Sequence, residues 1–493
     1  MLTRNRSWLF MGAGVAALSL SGNVHATDVF LPYQATATGS HPEAVAIGDV
    51  NGDGRNDVVM TTSYNFDPAN DYKLFVFTQG DTGTLSTPVI YATAGGYVNP
   101  PVSVAIGDLN NDGRNDVVVG EKSAIEIFYQ AADGTLQQPG TIISTPYSYQ
   151  IRIGDLNGDG RADIAGIAWG GSEAGVFLQN SDGSIALSGA YYAPHGGYDD
   201  LELGDVNHDG LTDIVVMSGQ AYAYDNLAVL TQSSAGSFNA VSYYDLGGDE
   251  LTHGVGVGDV TGDGRSDVVV SYGGNVPSSN IAIFAQNSAG TLDAPLSLPS
   301  KDVPESLEVA DVTGDGRSDV LVLHGGWYSL GLYVQQDNGT LASETLYPIP
   351  YASHYNPQGL AVGDINSDGN PDVAIADYNN GLVTLINSAP PVQPSANQPP
   401  TADAGQDQTV VQRSLVTLDA TASSDPDGNI VSYQWTQISG TPVTLADTVT
   451  PGIVTFTAPR IRWYTPRELV FEVTVTDNDG ATATDQVSVF LTK

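Results

Sequence analysis

The chain has 493 residues and not one cysteine. Disulfide stapling, thiol nucleophiles and cysteine metal centres are excluded, as is a lipoprotein anchor, whose signal ends at a cysteine. Bases are scarce as well: 16 Lys and Arg face 56 Asp and Glu, a formal charge of −40. Nucleic acid and anionic membrane both need basic patches, so neither is an expected partner. No apolar run is long enough to span a bilayer, which argues against membrane insertion. The stretch Leu9–Leu20 is too short for that role. It follows Arg4 and Arg6 and precedes the small-residue site Val24-His25-Ala26, the layout of a secretory signal over residues 1–26. The mature chain is then expected to begin at Thr27 and to be secreted, displayed on the cell surface or left in the periplasm. Export without cysteine suits a bacterial origin. Catalytic signatures are missing too: no Gly-x-Ser-x-Gly elbow, no His-Glu-x-x-His and no phosphate loop.

What the chain has in abundance is one nine-residue pattern: Asp, any residue, Asn or Thr, any residue, Asp, Gly, two residues, Asp. It occurs seven times, and successive copies start 59, 47, 50, 54, 52 and 53 residues apart. That period marks a repeat architecture. In the first copy Asp49, Asn51 and Asp53 offer side-chain oxygens and Gly54 permits a tight turn. The carbonyl of Arg55 then faces inward, and Asp57 closes the shell. Calcium takes six to eight hard oxygens in loose geometry, whereas a transition metal would want His or Cys. The same roles fall to Asp108, Asn110, Asp112, Arg114 and Asp116 in the second copy, and to Asp155, Asn157, Asp159, Arg161 and Asp163 in the third. Copy four supplies Asp205, Asn207, Asp209, Leu211 and Asp213, and copy five Asp259, Thr261, Asp263, Arg265 and Asp267. Copy six supplies Asp311, Thr313, Asp315, Arg317 and Asp319, and copy seven Asp364, Asn366, Asp368, Asn370 and Asp372. The expected cofactor is calcium, up to seven ions. Thr at the third position and Asn370-Pro371 at the seventh predict weaker binding in the last three loops. Aspartates committed to calcium are expected to titrate low, which makes them poor general acids.

The flanks of each copy are short β-branched runs such as Val45-Ala46-Ile47-Gly48 and Val58-Val59-Met60, so each loop joins two strands. The second repeat reads as four strands: Val102–Ile106, Asp116–Gly120, Ile125–Gln130 and a piece near Gln138–Ser144 announced by the turn Asp133-Gly134-Thr135-Leu136. Four strands per fifty residues is a propeller blade. The seventh repeat lacks a fourth strand, and Val29–Ala35 is expected to supply it and close the ring. On the run from Val45 to Asp57 the chain resembles FG-GAP/VCBS-type repeats, related to the integrin α-subunit propeller, over about Asp28 to Asn387. It departs from them in lacking most of the Phe-Gly and Gly-Ala-Pro signatures. The resemblance implies a seven-bladed propeller over residues 27–387, with calcium in the hairpins between strands one and two.

Residues 388–400 form a proline-rich linker. Beyond it, Asp419–Gly428, Tyr433-Gln434-Trp435 and Val473–Asp477 resemble a PKD-like domain over residues 401–493. That implies an immunoglobulin-like β-sandwich with Trp435 in its core. The expected class is all-β, a seven-bladed β-propeller followed by this sandwich.

Loops alternate between the two faces of a propeller, so the face away from the acidic hairpins is the expected ligand face. It is aromatic: Tyr64 to Tyr72, Trp169, Tyr222, Tyr272, His324, Trp327 and Tyr378 follow the second strands. His41, His195, Tyr198, His253, His354 and Tyr355 sit in the blade-joining loops. Aromatic rings beside polar groups suit sugars and protein hot spots alike. The leading expectation is a non-enzymatic, monomeric, calcium-binding recognition or adhesion protein for an extracellular carbohydrate or surface protein. A polysaccharide lyase or hydrolase drawing a carboxylate pair from Glu121, Glu173, Asp199, Asp200, Asp225, Glu250 or Glu305 is the alternative. A purely structural surface protein is the third reading.

Overall fold

The computed structural model describes residues 29–388 and 399–493, apart from 169, 193–197, 219–225, 234–235, 248–250, 276, 354–355, 426–428, 449, 463–466 and 478–479. The expected signal segment and most of the proline-rich linker therefore lie outside the described residues. Contacts divide the chain into two units, Met1–Val392 and Gln393–Lys493. Regular structure among the described residues is β throughout.

In the first unit every acidic loop joins an inner strand to a second strand. The inner strands are Pro42–Gly48, Pro101–Gly107, Gln150–Gly154, Tyr198–Gly204, Thr252–Gly258, Pro304–Ala310 and Leu360–Gly363. The second strands are Asp57–Thr62, Asp116–Glu121, Asp163–Ile167, Asp213–Ser218, Asp267–Tyr272, Asp319–His324 and Asp372–Asp377. Each begins on the closing aspartate of its loop, which pairs with the last residue of the inner strand, as Gly48 with Asp57 and Gly363 with Asp372. The second strands are rich in Val and Ile and buried along their length, because blades cover both of their faces. Val59, Leu74 and Val76 of blade one, for instance, pack on Val104, Val117, Val119 and Phe128 of blade two.

Six sheets are built from four consecutive strands. The seventh takes its fourth strand from the other end of the chain. Gln34–Thr36 pairs antiparallel with Gly381–Leu385, and Phe30 bridges Asn387. The amide of Leu31 donates to Ile386 (2.8 Å) and that of Ser388 to Val29 (2.9 Å). Inner strands touch in blade order, and the seventh touches the first, so the ring is closed. Closure leaves no open edge between blades. The predicted N-terminal strand does complete blade seven, although its regular part is only Gln34–Thr36, at the end of the expected Val29–Ala35.

The second unit holds two sheets. One contains Gln408–Val411, Thr482–Thr492, Glu468–Asp477 and Ile430–Ser439, the other Leu415–Asp419, Ile453–Thr457 and Ala446–Asp447. Alternation along Glu468–Asp477 sends Leu469, Phe471, Val473 and Val475 into the core. Trp435 is a partial correction. Its ring leans on that core, but it is half-buried at the rim of an open cavity of about 500 Å³, with its indole N–H donating to Gly452 (2.9 Å).

Candidate functional site

The seven acidic loops share one backbone. The fourth and sixth positions are left-handed in each, from Gly52 (78°) and Gly54 (83°) in loop one to Ser367 (62°) and Gly369 (88°) in loop seven. A side chain is strained in that region, which explains glycine at position six. The first aspartate holds the turn: Asp49 accepts the amides of Gly52 (2.6 Å) and Gly54 (2.8 Å). The contact to the sixth-position amide recurs in all seven loops.

The closing aspartates Asp57, Asp116, Asp163, Asp213, Asp267, Asp319 and Asp372 are fully buried. Asp57 accepts the amides of Val50 (3.1 Å) and Gln79 (2.8 Å). Burial nevertheless pushes its carboxyl up to about 6, with the charges of Asp53 and Asp49 adding to the rise. Asp116, Asp163, Asp319 and Asp372 are likewise pushed up to about 6 and Asp213 to about 7, and burial raises Asp267 too. In the metal-free chain desolvation outweighs the amide donors, whereas the expected low titration is that of calcium-loaded loops.

A divalent cation would relieve these buried carboxylates. Asn110 Oδ1, the third-position donor of loop two, is buried without a hydrogen-bond partner. Among the described residues no three Asp, Glu, His or Cys side chains gather closely enough to hold an ion. The fifth-position aspartate is instead drawn to the arginine two residues on, as Asp53 to Arg55 (2.7 Å), and the same pairing joins Asp112 to Arg114 and Asp263 to Arg265. The turn, the donor chemistry and the orphaned oxygen fit calcium, and an ion would compete with the arginine for the fifth carboxylate.

Each loop is also buttressed by the next blade. The side-chain amide of Gln179 donates to the carbonyl of Asp108 (2.9 Å), and Gln335 does the same to Asp259 (3.1 Å). The outer turn of the following blade lies against the third loop position. A Cβ on Gly134, itself at φ 80°, would sit 2.5 Å from the Asn51 carbonyl. Gly134→Ala is therefore expected to cost about 2 kcal/mol or more in urea unfolding, since backbone strain and a backbone clash add.

The position three residues before the acidic loop lines one cavity between the inner strands in blades one, two, three, six and seven. It is Ala46, Ala105, Gly256 and Ala361 in four blades, and Arg152, Glu202 and Glu308 in the others. Arg152 binds Glu202 through Nε (2.8 Å) and reaches Asp200 at 3.5 Å. Burial pushes Glu308 up to about 8, reinforced by Glu202, and pushes Asp200 up to about 7 against the pull of Arg152. Glu308 and Arg152 line a channel cavity of about 250 Å³ with Gln358. Gln358 crosses from blade seven to accept the Val104 amide (3.0 Å) and donate to the Ile151 carbonyl (2.8 Å). Sequence reasoning missed this network. Its signal is three charges at a repeat position otherwise held by Ala or Gly.

The other face carries the aromatics. Trp169, Tyr222, His195, His354 and Tyr355 lie outside the described residues, as does the side chain of Tyr198. Trp327 is 45% exposed, but Tyr272 and His324 are buried, at 7% and 0%. Tyr272 donates to Ser297 (2.8 Å) and His324 pairs with Glu344 (2.7 Å), so both rings serve blade interiors rather than solvent. Tyr378 is half-buried and stacked on His41 at 4.0 Å, with the planes 4° apart. A second group stands on blades one and two. Tyr64 lies 4.5 Å from Phe66, 6.1 Å from Tyr72 and 6.4 Å from Tyr97. Phe66, Tyr97 and Val98 are the most exposed of the large apolar side chains, at 83%, 78% and 87%. Buried Asp71 fixes the loop of Tyr64 and Phe66 by accepting Ser40 Oγ (2.6 Å) and the amides of Asn65 (2.9 Å) and Asp67 (3.0 Å). Of the candidate carboxylates, Glu121, Asp200 and Glu305 are buried. Glu173 is bound by Tyr147 Oη (2.6 Å), and Asp225, Glu250 and the side chain of Asp199 lie outside the described residues.

This architecture defines a class: a closed ring of seven four-stranded blades, each with an acidic hairpin, followed by a β-sandwich. The chain belongs to the FG-GAP-like repeat family, which matches residues 49–119, 108–166, 205–270 and 311–375, and a PKD domain matches residues 404–491. Mouse integrin alpha-IIb is 29% identical over 125 residues, covering 21% of this chain and 12% of the integrin. Human dyslexia-associated protein KIAA0319 is 33% identical over 113 residues, covering 23% of this chain and 10% of that protein. The chain thus spans only about a tenth of either relative's length. Similar solved structures include the PKD domain from KIAA 1837 protein, at 29% identity and TM-score 0.16, covering 20% of this chain and 90% of that one. A functionally unknown protein from Desulfotomaculum acetoxidans is 13% identical with TM-score 0.41, covering 62% of this chain and 89% of that one.

Proposed function

We propose that this is an exported recognition protein of adhesion type. Its propeller is braced by calcium in the acidic hairpins, and it binds a carbohydrate or protein ligand as a monomer through aromatic side chains on the opposite face. The observation that carries this reading is the loop-anchored group of exposed Tyr64, Phe66 and Tyr97 with half-buried Tyr72. Solvent-facing aromatic clusters on a rigid scaffold mark recognition surfaces. Repeats shared with an integrin α subunit and an appended PKD domain support an extracellular role without catalysis. The calcium ligands are the seven aspartate-rich sets, with the seventh-position backbone carbonyls among them. Trp327 and Tyr378 extend the ligand surface across blades six and seven.

The test is a glycan-array screen of Thr27–Lys493 in millimolar calcium and again in chelator. Saturable, calcium-dependent binding is expected, with Tyr97→Ala or Trp327→Ala weakening it about tenfold or more. Binding unchanged in both variants would remove these rings from the site. A blank array on folded protein would move the ligand to the protein class, and turnover of a polysaccharide would move the chain to the enzymes.

A further inference from the structure

Beneath the loop that carries Tyr97 and Val98 lie two glutamates that the recognition surface does not use. Glu121 ends the second strand of blade two, and Glu126 lies in the third strand, Ala124–Phe128. Strand alternation puts both side chains on one face, since Glu121 pairs with Ala124 and Glu126 with Val119. Each is 1% exposed. Their acceptors hold the joining loop between blades one and two. Glu126 accepts the amide of Ala94 (2.8 Å), and Glu121 accepts the amide of Gly95 and the side-chain amide of Asn99, each at 2.8 Å. Asn99 is held in turn by the amide of Ser123 (2.6 Å). Both ends of the short segment bearing exposed Tyr97 and Val98 are thus tied to one buried carboxyl pair.

We propose that Glu121 and Glu126 form a proton-operated latch: with one proton shared between them they hold the 93–100 loop in place, and with both ionised they release it. Two buried carboxylates side by side cannot both be charged without strong repulsion. Burial, with the charge and hydrogen bond of neighbouring Glu126, pushes Glu121 up to about 7 against the donors of Gly95 and Asn99. Burial likewise raises Glu126, against the amides of Ala94 and Gly140. Each is the charged neighbour of the other. From the packed elements, Gly95, Asn99 and Gly140 contribute neutral donors. Lys122 follows Glu121 in the chain, and Lys73 pairs with Ala92, two residues before Ala94. A carboxyl whose folded value is raised gives stability that is complete below its unfolded value, and that stability is lost as pH rises through the folded one. The latch is therefore closed in mild acid and opens as pH passes about 7. Its consequence for recognition rests on the ligand surface proposed above, but its operation does not.

Hydrogen exchange of the full mature chain in calcium, read on peptides covering residues 93–100 at pH 6 and pH 8.5, tests it. After correction for intrinsic rates, protection of this segment is expected to fall about tenfold at the higher pH, while peptides from blade five keep theirs. Glu121→Gln, which keeps an acceptor and supplies the shared hydrogen permanently, is expected to abolish the step, and Glu126→Gln provides the same reading should the first variant fold poorly. A flat profile in the unsubstituted protein, a step that survives both substitutions, or an equal loss in every blade would overturn the latch. A blank glycan array alongside a clear pH step would remove only the carbohydrate reading.

Discussion

Stripping calcium is expected to lower the melting temperature of the propeller by about 10 °C or more and to leave the transition of the sandwich in place. An ion held at a hundred times its Kd adds about 2.7 kcal/mol to the state that binds it, and the ring repeats the loop seven times. The effect should spread beyond each hairpin, because the loops are parts of the blade interfaces. The side-chain amides of Gln179 and Gln335 and the outer-turn glycines hold the loops of preceding blades. Stiffening a loop therefore stiffens the contact between two blades. The second unit has a core of its own, from Val416 and Leu418 to Leu469, Phe471 and Val489, and no acidic hairpin of this kind. Scanning calorimetry with and without chelator, at fixed pH, would show two transitions of which one moves. A propeller transition that stays put in chelator would end the calcium assignment, and one that moves although elemental analysis finds no calcium would point to another cation.

Much of this was legible in the sequence because the repeat fixes so much at once. A loop that must begin and end on aspartate forces a strand on either side of it, and seven loops at one period force seven blades. The closing strand was legible because blade seven runs out of strand before the linker. In the sandwich, the run Val473–Asp477 falls inside the strand Glu468–Asp477, whereas Thr482–Thr492 was hidden by its threonines and its short apolar tail. The site was legible to a lesser degree. Residue type says that Tyr272 and His324 are aromatic, but not that the blade turns them inward onto Ser297 and Glu344. The cluster with Tyr97 was missed because it is assembled from two loops, one within blade one and one joining it to blade two. The raised titration of Asp57 and its equivalents in the metal-free chain was not legible, because composition reveals the charge of a loop and not how deeply its last carboxylate is buried.

Removing the guanidinium from the channel is the substitution with the largest expected effect. Arg152→Met keeps the bulk of the side chain but leaves Glu202, Asp200 and Glu308 facing one another. Losing one partner from a buried charge network costs about 3–5 kcal/mol, mostly as the penalty on the charges left behind. Urea unfolding at pH 7.5 should read that loss, and the loss should shrink at pH 5.5. The direction follows from the carboxyls. Glu308 and Asp200 are pushed up to about 8 and about 7, so the fold favours their protonated forms. Their contribution is complete below the unfolded carboxyl range and is lost as pH rises through the folded values. Glu308→Gln should accordingly stabilise the propeller at pH 9 by about 2 kcal/mol and change little at pH 5. In the Arg152→Met background the same change should recover part of the loss, because the two residues act on one another across the channel. Additive effects of the two substitutions would mean that the charges are screened from each other. The ring would then be held by its blade interfaces and by the Gln358 cross-link alone.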